Sequence, residues 1–146
     1  MKYALVTGGS RGIGKAISTK LAVEGYYVLI NYKSNELKAK ECLDKIIAEG
    51  GKGELIKFDV SNPNEIEDIL GGWLNENPDK HIEILVNNAG ITKDNLMIFM
   101  SDEEWKSVIS TNQDSFFFTT RLLLKNMLIK KKGKIINIVS LSGQKG

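Results

Sequence analysis

The alternation of short apolar runs with longer amphipathic stretches restricts the fold of this chain more than any other sequence feature. Runs that are apolar on both faces are typical of strands in a parallel sheet covered by helices on both sides. The stretches between them repeat apolar residues at helical spacing, as Ile13, Ile17 and Leu21 do. The sequence therefore predicts an α/β fold with five parallel strands, at YALVTG, YYVLINY, GELIKFDV, IEILVNN and GKIINIVS.

Local signals mark several of the helix ends. Gly25 follows the first helical stretch, at the position where a glycine with left-handed backbone commonly ends a helix. Ser101 and Glu104 form the S-x-x-E pattern of a capping box, which predicts a long helix after Ser101. Another helix is predicted from about Asn64 to Asn75. No repeat or linker interrupts this order, so we expect one domain over residues 1–146.

Composition argues against several functional classes. The chain has 42% hydrophobic and 26% charged residues, and its net charge of +2 comes without the basic arm typical of nucleic-acid binding. Its apolar runs are too short to cross a membrane, and no signal-peptide core is present, so we expect a cytoplasmic protein. The single Cys42 and the single His81 offer no metal-binding cluster; we expect Cys42 on a helix and His81 in a surface loop.

A glycine-rich segment, VTGGSRGIGKA, lies between the first predicted strand and the first predicted helix. Its glycines let the backbone take positive φ and approach an anion closely, while the helix N-terminus offers free N–H groups and a partial positive charge. Together with the strand–helix–strand order, this segment predicts a Rossmann-type doubly wound domain that binds a nucleotide. A turn that serves only strand–helix packing is the alternative.

Residues 9–15 of this segment also fit G-x-x-x-x-G-K, the start of a P-loop. A P-loop needs Ser or Thr after the lysine to hold Mg²⁺, and Ala16 has no oxygen in its side chain. The sequence therefore argues against hydrolysis of a nucleoside triphosphate.

Further motifs follow in the order found in short-chain dehydrogenases/reductases, and the chain resembles that family over its whole length. The motifs are Thr7-Gly8-x-x-x-Gly12-x-Gly14, Asp59-Val60, Asn87-Asn88-Ala89-Gly90, Asn112 and Ser140. The resemblance is closest to bacterial 3-oxoacyl-[acyl-carrier-protein] reductases, notably at TGGSRGIG, LVNNAGIT and DEEW. It implies NADPH-dependent reduction of a 3-oxoacyl to a 3-hydroxyacyl group on acyl-carrier protein, in fatty-acid synthesis.

The end of the second predicted strand bears on the choice of nicotinamide cofactor. NAD sites usually place an acid there to bind the ribose 2′-hydroxyl, but this strand runs into Asn31, Tyr32, Lys33 and Ser34. Without a carboxylate at that position, Arg11 and Lys33 are candidates to pair with a 2′-phosphate, which favours NADP(H). The alternative is that both are solvated surface cations.

The resemblance also implies contacts for the remainder of the cofactor. Asp59 would accept a hydrogen bond from the adenine amino group beside Val60, unless Asp59 is only a turn or capping residue. The residues Asn88, Ala89 and Gly90 would lie against the adenosine ribose, and this run also suits a purely structural turn. The diphosphate and the ribose would be enclosed by Gly8, Ser10, Arg11, Gly12, Ile13 and Gly14.

Two residues match catalytic positions of this family, in which a tyrosine hydroxyl protonates a carbonyl oxygen while hydride arrives from the nicotinamide. Ser140 matches the serine that steadies the developing oxyanion, and Ser142 is the competing candidate. Asn112 matches an asparagine that holds a water in the proton relay. Gln113 departs from the apolar residue usual after that asparagine.

The largest departure from the family is the absence of its Tyr-x-x-x-Lys motif. None of the 4 tyrosines in the sequence has a lysine four residues later. We therefore expect the tyrosine, the lysine and the strands and helices around them to lie beyond residue 146. The domain would then be incomplete at its C-terminal end, with the fifth strand at the sheet edge, and residues 1–146 alone would be inactive.

The resemblance implies an acyl-carrier protein as the partner that carries the substrate, and a homo-oligomer, a dimer or tetramer, for the complete protein. A run of lysines would form a basic patch for this acidic partner, or only a solvated helix end: Lys130, Lys131, Lys132 and Lys134. Reduction of another ketone or of a sugar stays open. So does a non-catalytic nucleotide-binding module, if the chain ends at residue 146.

Overall fold

The predicted five-stranded parallel sheet is confirmed by the computed structural model, which describes residues 1–140. The strand order is β3-β2-β1-β4-β5, so the order reverses at β1. Ligands of open α/β sheets bind in the crevice at the carboxyl ends of the strands flanking such a reversal. The strands are β1 (Lys2–Val6), β2 (Tyr26–Tyr32), β3 (Lys52–Lys57), β4 (Ile82–Asn87) and β5 (Lys134–Asn137).

Helices form the crossovers between the strands. The first two are α1 (Gly12–Val23) and α2 (Glu36–Ala48). Each of the next two contains a π-helical turn: α3 consists of Pro63–Glu65, Ile66–Gly71 and Gly72–Glu76, and α4 of Asp102–Ile109, Ser110–Asp114 and Ser115–Ile129. A short 3-10 turn, Met97–Phe99, precedes α4. Within residues 1–140, no helix is long and apolar enough to cross a membrane.

The sheet has a hydrophobic core on each face, as a doubly wound fold requires. Successive side chains of β1 point to opposite faces. Val6 belongs to a cluster with Cys42 of α2, on the face covered by α1 and α2. Leu5 belongs to a cluster with Leu70 and Leu123, on the face covered by α3 and α4. Helices therefore cover both faces of the sheet at β1.

The predicted helix ends are confirmed, whereas the π-helical turns were not predicted. Gly25 follows α1 with a φ of 84°, and Ser101 and Glu104 make both hydrogen bonds of the capping box. The π turn of α4, Ser110–Asp114, adds a residue to the helix without ending it. Apolar spacing does not reveal such an insertion, because the residues on either side keep helical periodicity.

Cys42 and His81 both lie in the kind of element that the sequence predicted. Cys42 lies on α2 as predicted, and burial raises the pKa of its thiol. His81 lies in the loop before β4 as predicted, and its Nε2 lies 2.6 Å from the backbone oxygen of Lys132. Lys132 also pairs through Nζ with Glu83 at 3.0 Å, so the turn before β5 is fastened to the start of β4. Both contacts join residues about 50 positions apart, a separation that local patterns do not encode.

Replacement of Leu85, a buried residue of β4 that contacts the core under α3 and α4, tests this packing. We expect Leu85→Ala to lower the free energy of unfolding by about 2–5 kcal/mol, because the cavity left in the core cannot collapse completely. Urea unfolding measures this loss. The matched control is Leu37→Ala, at a side chain that is 68% exposed, where we expect a change within about 0.5 kcal/mol. Equal losses would contradict the described core.

Candidate functional site

The glycine-rich loop connects the end of β1 to the start of α1. Gly8 and Gly12 have φ values of 60° and 51°, in the left-handed region that glycine tolerates best. A Cβ on Gly14 would collide with the carbonyl oxygen of Gly8 and with Nδ2 of Asn88. The first turn of α1 contains no acidic residue, and Arg11 at its N-cap provides no side-chain cap. The N–H groups at this helix end are therefore open to an anion.

Asn31, at the end of β2, holds the loop in place. Its Oδ1 accepts a hydrogen bond from the Gly8 N–H at 3.1 Å, and its backbone oxygen accepts one from the Gly9 N–H at 2.9 Å. Its Nδ2 donates to the carbonyl oxygens of Ile56 and Phe58 at 3.3 and 3.0 Å. This buried side chain therefore links the loop to the end of β3. Sequence analysis noted Asn31 only because it is not a carboxylate, and did not predict these hydrogen bonds.

Thr7 fastens the segment after β4 to the end of β1. Its Oγ1 accepts hydrogen bonds from the N–H groups of Asn88 and Ala89 at 2.9 and 3.0 Å, and donates to the carbonyl of Val86 at 3.3 Å. In return, Nδ2 of Asn88 donates to the carbonyl oxygens of Thr7 and Gly8. The motif after β4 and the glycine loop are therefore one hydrogen-bonded unit at the reversal of strand order.

An ion pair lies at the outer end of the site, where β2 and β3 end side by side. Nζ of Lys33 is 2.6 Å from Oδ2 of Asp59, and Oδ1 of Asp59 accepts hydrogen bonds from the N–H and the hydroxyl of Ser61. Burial alone would raise the pKa of the Asp59 carboxyl. The bonds from Lys33 and Ser61 outweigh it and hold that pKa below its ordinary value. Asp59 is therefore charged at neutral pH and already has partners.

These groups surround a cleft of about 700 Å³. Every residue predicted to bind the cofactor lines it except Asp59, whose carboxylate reaches the cleft-lining Lys33. Sequence reasoning missed further lining residues, some of which directly follow strand ends, a position that signals a site in this fold. They are Asn31, Tyr32, Ser34, Asn35, Phe58, Ile91 and Thr111. Within residues 1–140, no group of three or more His, Cys, Asp or Glu residues is arranged to hold a metal ion.

The two predicted catalytic residues come from different elements. Asn112 lies in the π turn of α4; its Oδ1 accepts from the N–H of Ile91 and its Nδ2 donates to the carbonyl of Ile91, both at 2.8 Å. The amide thus fastens the segment after β4 to α4, a positioning contact that the sequence did not predict. Ser140 follows β5 and is exposed, and Ser142 lies outside the described residues.

A polar network around the buried side chain of Asn87 connects β5 to the remainder of the site. Nδ2 of Asn87 donates to Oδ1 of Asn137 at 2.9 Å and to the hydroxyl of Thr120 at 3.2 Å. Oδ1 of Asn87 accepts from the hydroxyl of Thr119 at 2.7 Å. The ends of β4 and β5, and with them the backbone leading to Ser140, are therefore bound to α4.

The strand order, the glycine loop and the cleft at the reversal of strand order define a Rossmann-type domain. Within that class, the chain belongs to the short chain dehydrogenase family, whose model matches residues 2–146.

Curated relatives and a solved structure agree with this assignment. The chain is 41% identical over 145 residues to a 3-oxoacyl-[acyl-carrier-protein] reductase from Synechocystis sp., and 43% identical to one from Vibrio cholerae. It covers 99% of its own length in both matches but only 58% and 57% of the relatives. The crystal structure of a metagenomic short-chain oxidoreductase in complex with NADP matches with a TM-score of 0.90 and 34% identity, covering 97% of this chain and 63% of that one.

The Thr7 hydroxyl offers a test of the hydrogen-bonded unit. We expect Thr7→Val to lower the free energy of unfolding by about 2–4 kcal/mol, because the N–H groups of Asn88 and Ala89 lose a buried acceptor. Thr7→Ser keeps the oxygen and should lose about 1 kcal/mol, from the missing methyl group. Urea unfolding of the two variants measures the difference. If both lose the same stability, the hydroxyl does not hold this segment.

Proposed function

We propose that this chain is the nucleotide-binding part of an NADPH-dependent 3-oxoacyl-[acyl-carrier-protein] reductase. The relatives that carry this name, at 41% and 43% identity, support the substrate class. The observation that carries the cofactor assignment is the end of β2: it has no carboxylate, and both Arg11 and Lys33 line the cleft beside it. Cations at this position suit a 2′-phosphate, whereas an NAD site usually presents an acid.

Under this proposal, the cleft residues take the following roles toward a dinucleotide. The open N–H groups at the start of α1 bind the diphosphate, and Gly14 leaves room for the backbone to come close. Arg11 and Lys33 bind the 2′-phosphate, while Asp59 and Val60 lie at the adenine. The ribose contacts Asn88, Ala89 and Gly90, and the loop around the diphosphate consists of Gly8, Ser10, Gly12, Ile13 and Gly14.

The bound nicotinamide would supply the hydride that reduces the carbonyl. In the reduction, Ser140 donates a hydrogen bond to the oxygen on which negative charge develops, and a fixed donor there lowers the barrier. Asn112 keeps the segment after β4 against α4 through its bonds to Ile91, and in this proposal it would also hold a water of the proton relay. None of the 4 tyrosines in these 146 residues has a lysine four residues later, so in this proposal the tyrosine and lysine of the reaction lie outside them.

Cofactor selectivity tests the assignment of NADPH. We expect the protein to bind NADPH more tightly than NADH, and each of Arg11→Ala and Lys33→Ala to weaken NADPH binding by roughly tenfold or more, the value of one charge-assisted hydrogen bond. NADH binding should barely change. Titration of the nucleotide fluorescence measures both dissociation constants. Lys20→Ala, at an exposed lysine paired with Glu24, is the control. Equal affinities for the two nucleotides would refute the assignment.

The basic run after α4 tests the acyl-carrier protein as partner. Lys132 is paired with Glu83, so Lys130 and Lys131 are the residues to reverse. In the complete protein, Lys130→Glu with Lys131→Glu should raise the KM for carrier-bound substrate severalfold at low salt, because opposite charges speed encounter. A small 3-ketoester should be reduced as before.

The matched control reverses Lys52 and Lys57, exposed lysines on the opposite edge strand β3. It should leave both substrates unaffected. If the Lys130/Lys131 variant changes the reduction of both substrates alike, or of neither, this surface is a solvated helix end. The substrate is then to be sought among small ketones and sugars.

A further inference from the structure

The ion pair between Lys33 and Asp59 joins two residues that the proposed function assigns to different parts of one nucleotide. Strands β2 and β3 are paired through Tyr32 and Lys57, so the residues that follow them emerge side by side at the carboxyl edge of the sheet. There Nζ of Lys33 lies 2.6 Å from Oδ2 of Asp59. The cation assigned to the 2′-phosphate is therefore bound to a carboxylate of the same chain.

The two partners of this ion pair differ in exposure and in how many hydrogen bonds hold them. The Asp59 side chain is 18% exposed, its Oδ1 accepts two hydrogen bonds from Ser61, and its backbone N–H donates to Glu65. The Lys33 side chain is 67% exposed and ends a flexible four-carbon stem. An incoming anion can therefore move the lysine, while the carboxylate stays where Ser61 holds it.

We propose that Asp59 competes with the 2′-phosphate of the cofactor for Lys33 and so limits the preference of this cleft for NADP(H) over NAD(H). The inference rests on the proposed function. Lys33 must leave Asp59 to bind the phosphate fully, and the carboxylate that remains repels the phosphate. A nucleotide with a free 2′-hydroxyl neither has to separate Lys33 from Asp59 nor is repelled by the carboxylate. Arg11 has no carboxylate within ion-pair distance among residues 1–140, so this competition acts on Lys33 alone.

This role is distinct from an acceptor for the adenine amino group. An adenine contact contributes equally whether or not the ribose carries a phosphate. Competition for Lys33 affects only the phosphorylated nucleotide. Removing the charge of Asp59 while keeping an acceptor oxygen therefore gives different results under the two roles, and Asp59→Asn makes that change.

The experiment compares adenosine 2′,5′-bisphosphate with adenosine 5′-monophosphate by calorimetry at low salt. We expect Asp59→Asn to lower the ratio of the bisphosphate Kd to the monophosphate Kd by about threefold to tenfold, in keeping with an ion pair at a partly exposed site, because any change in the adenine contact affects both ligands alike. In a Lys33→Met background, Asp59→Asn should change the ratio of the two dissociation constants much less. Raising the salt concentration should also reduce the change in this ratio, because salt screens the charges.

Glu36→Gln is the matched control, since Glu36 lies near the same end of the sheet and pairs with Lys40 at 2.9 Å. It removes one negative charge without touching Lys33, and should leave the ratio of the two dissociation constants unchanged. An equal gain in this control would show a general effect of charge and overturn the proposal.

Titration of the unaltered protein provides a test that requires no variant. The ¹³C resonance of the Asp59 carboxyl should move with the bisphosphate far more than with the monophosphate, because only the former takes Lys33 away. Equal shifts, or an Asp59→Asn variant that weakens both ligands alike, overturn the competition while the NADPH assignment stands. If the unaltered protein binds neither NADPH nor the bisphosphate, the proposed function itself fails.

Discussion

The backbone polar groups of residues 7–9 must find partners inside the protein, because the chain leaves β1 there while still enclosed by its neighbours. The Thr7 N–H bonds to Val86, and both following N–H groups bond to Asn31. The carbonyl of Gly9 accepts from the hydroxyl of Ser18. The turn between β1 and α1 is thus fixed from three sides, and its remaining side, with the open N–H groups of α1, faces the cleft.

This arrangement separates rigid groups from adaptable ones. Hydrogen bonds within the site hold the loop backbone, Asn31 and the segment after β4 in place. These groups are already ordered in the folded protein, so nucleotide binding does not lose conformational entropy by ordering them. The groups that can move are exposed cations, Arg11 and Lys33. The buried part of the site therefore determines the shape of the cleft, and the exposed cations at its rim determine the charge. This division suits a ligand whose diphosphate is constant and whose ribose either carries a phosphate or does not.

The sequence predicted those parts of the molecule that depend on local spacing. Strands, helix ends and the glycine loop follow from periodicity, from Gly25 and from the S-x-x-E pattern at Ser101, because each rests on residues a few positions apart. The predicted cleft residues also came together, since a strand order that reverses at β1 gathers the carboxyl ends of the central strands.

Contacts between distant segments were the ones that sequence reasoning missed. The bonds of Asn31 to Phe58, of Asn112 to Ile91 and of His81 to Lys132 span 27, 21 and 51 positions. An asparagine or a histidine in isolation carries no sign of which carbonyl it will reach. The ion pair of Lys33 with Asp59 is hidden for the same reason: each residue has a plausible individual role, and only the pairing of β2 with β3 brings them together.

The network around Asn87 constrains how this sequence can diverge. Asn87 is bound by Thr119, Thr120 and Asn137, so three elements share one buried amide. Removing the Thr119 hydroxyl alone leaves the buried Oδ1 of Asn87 without its partner, at a cost of about 1–3 kcal/mol, whereas replacing both partners together by apolar groups of the same shape can be nearly neutral. Substitutions at these positions are therefore coupled: a change at Thr119 costs less in a background where Asn87 has already been replaced by an apolar residue of similar shape.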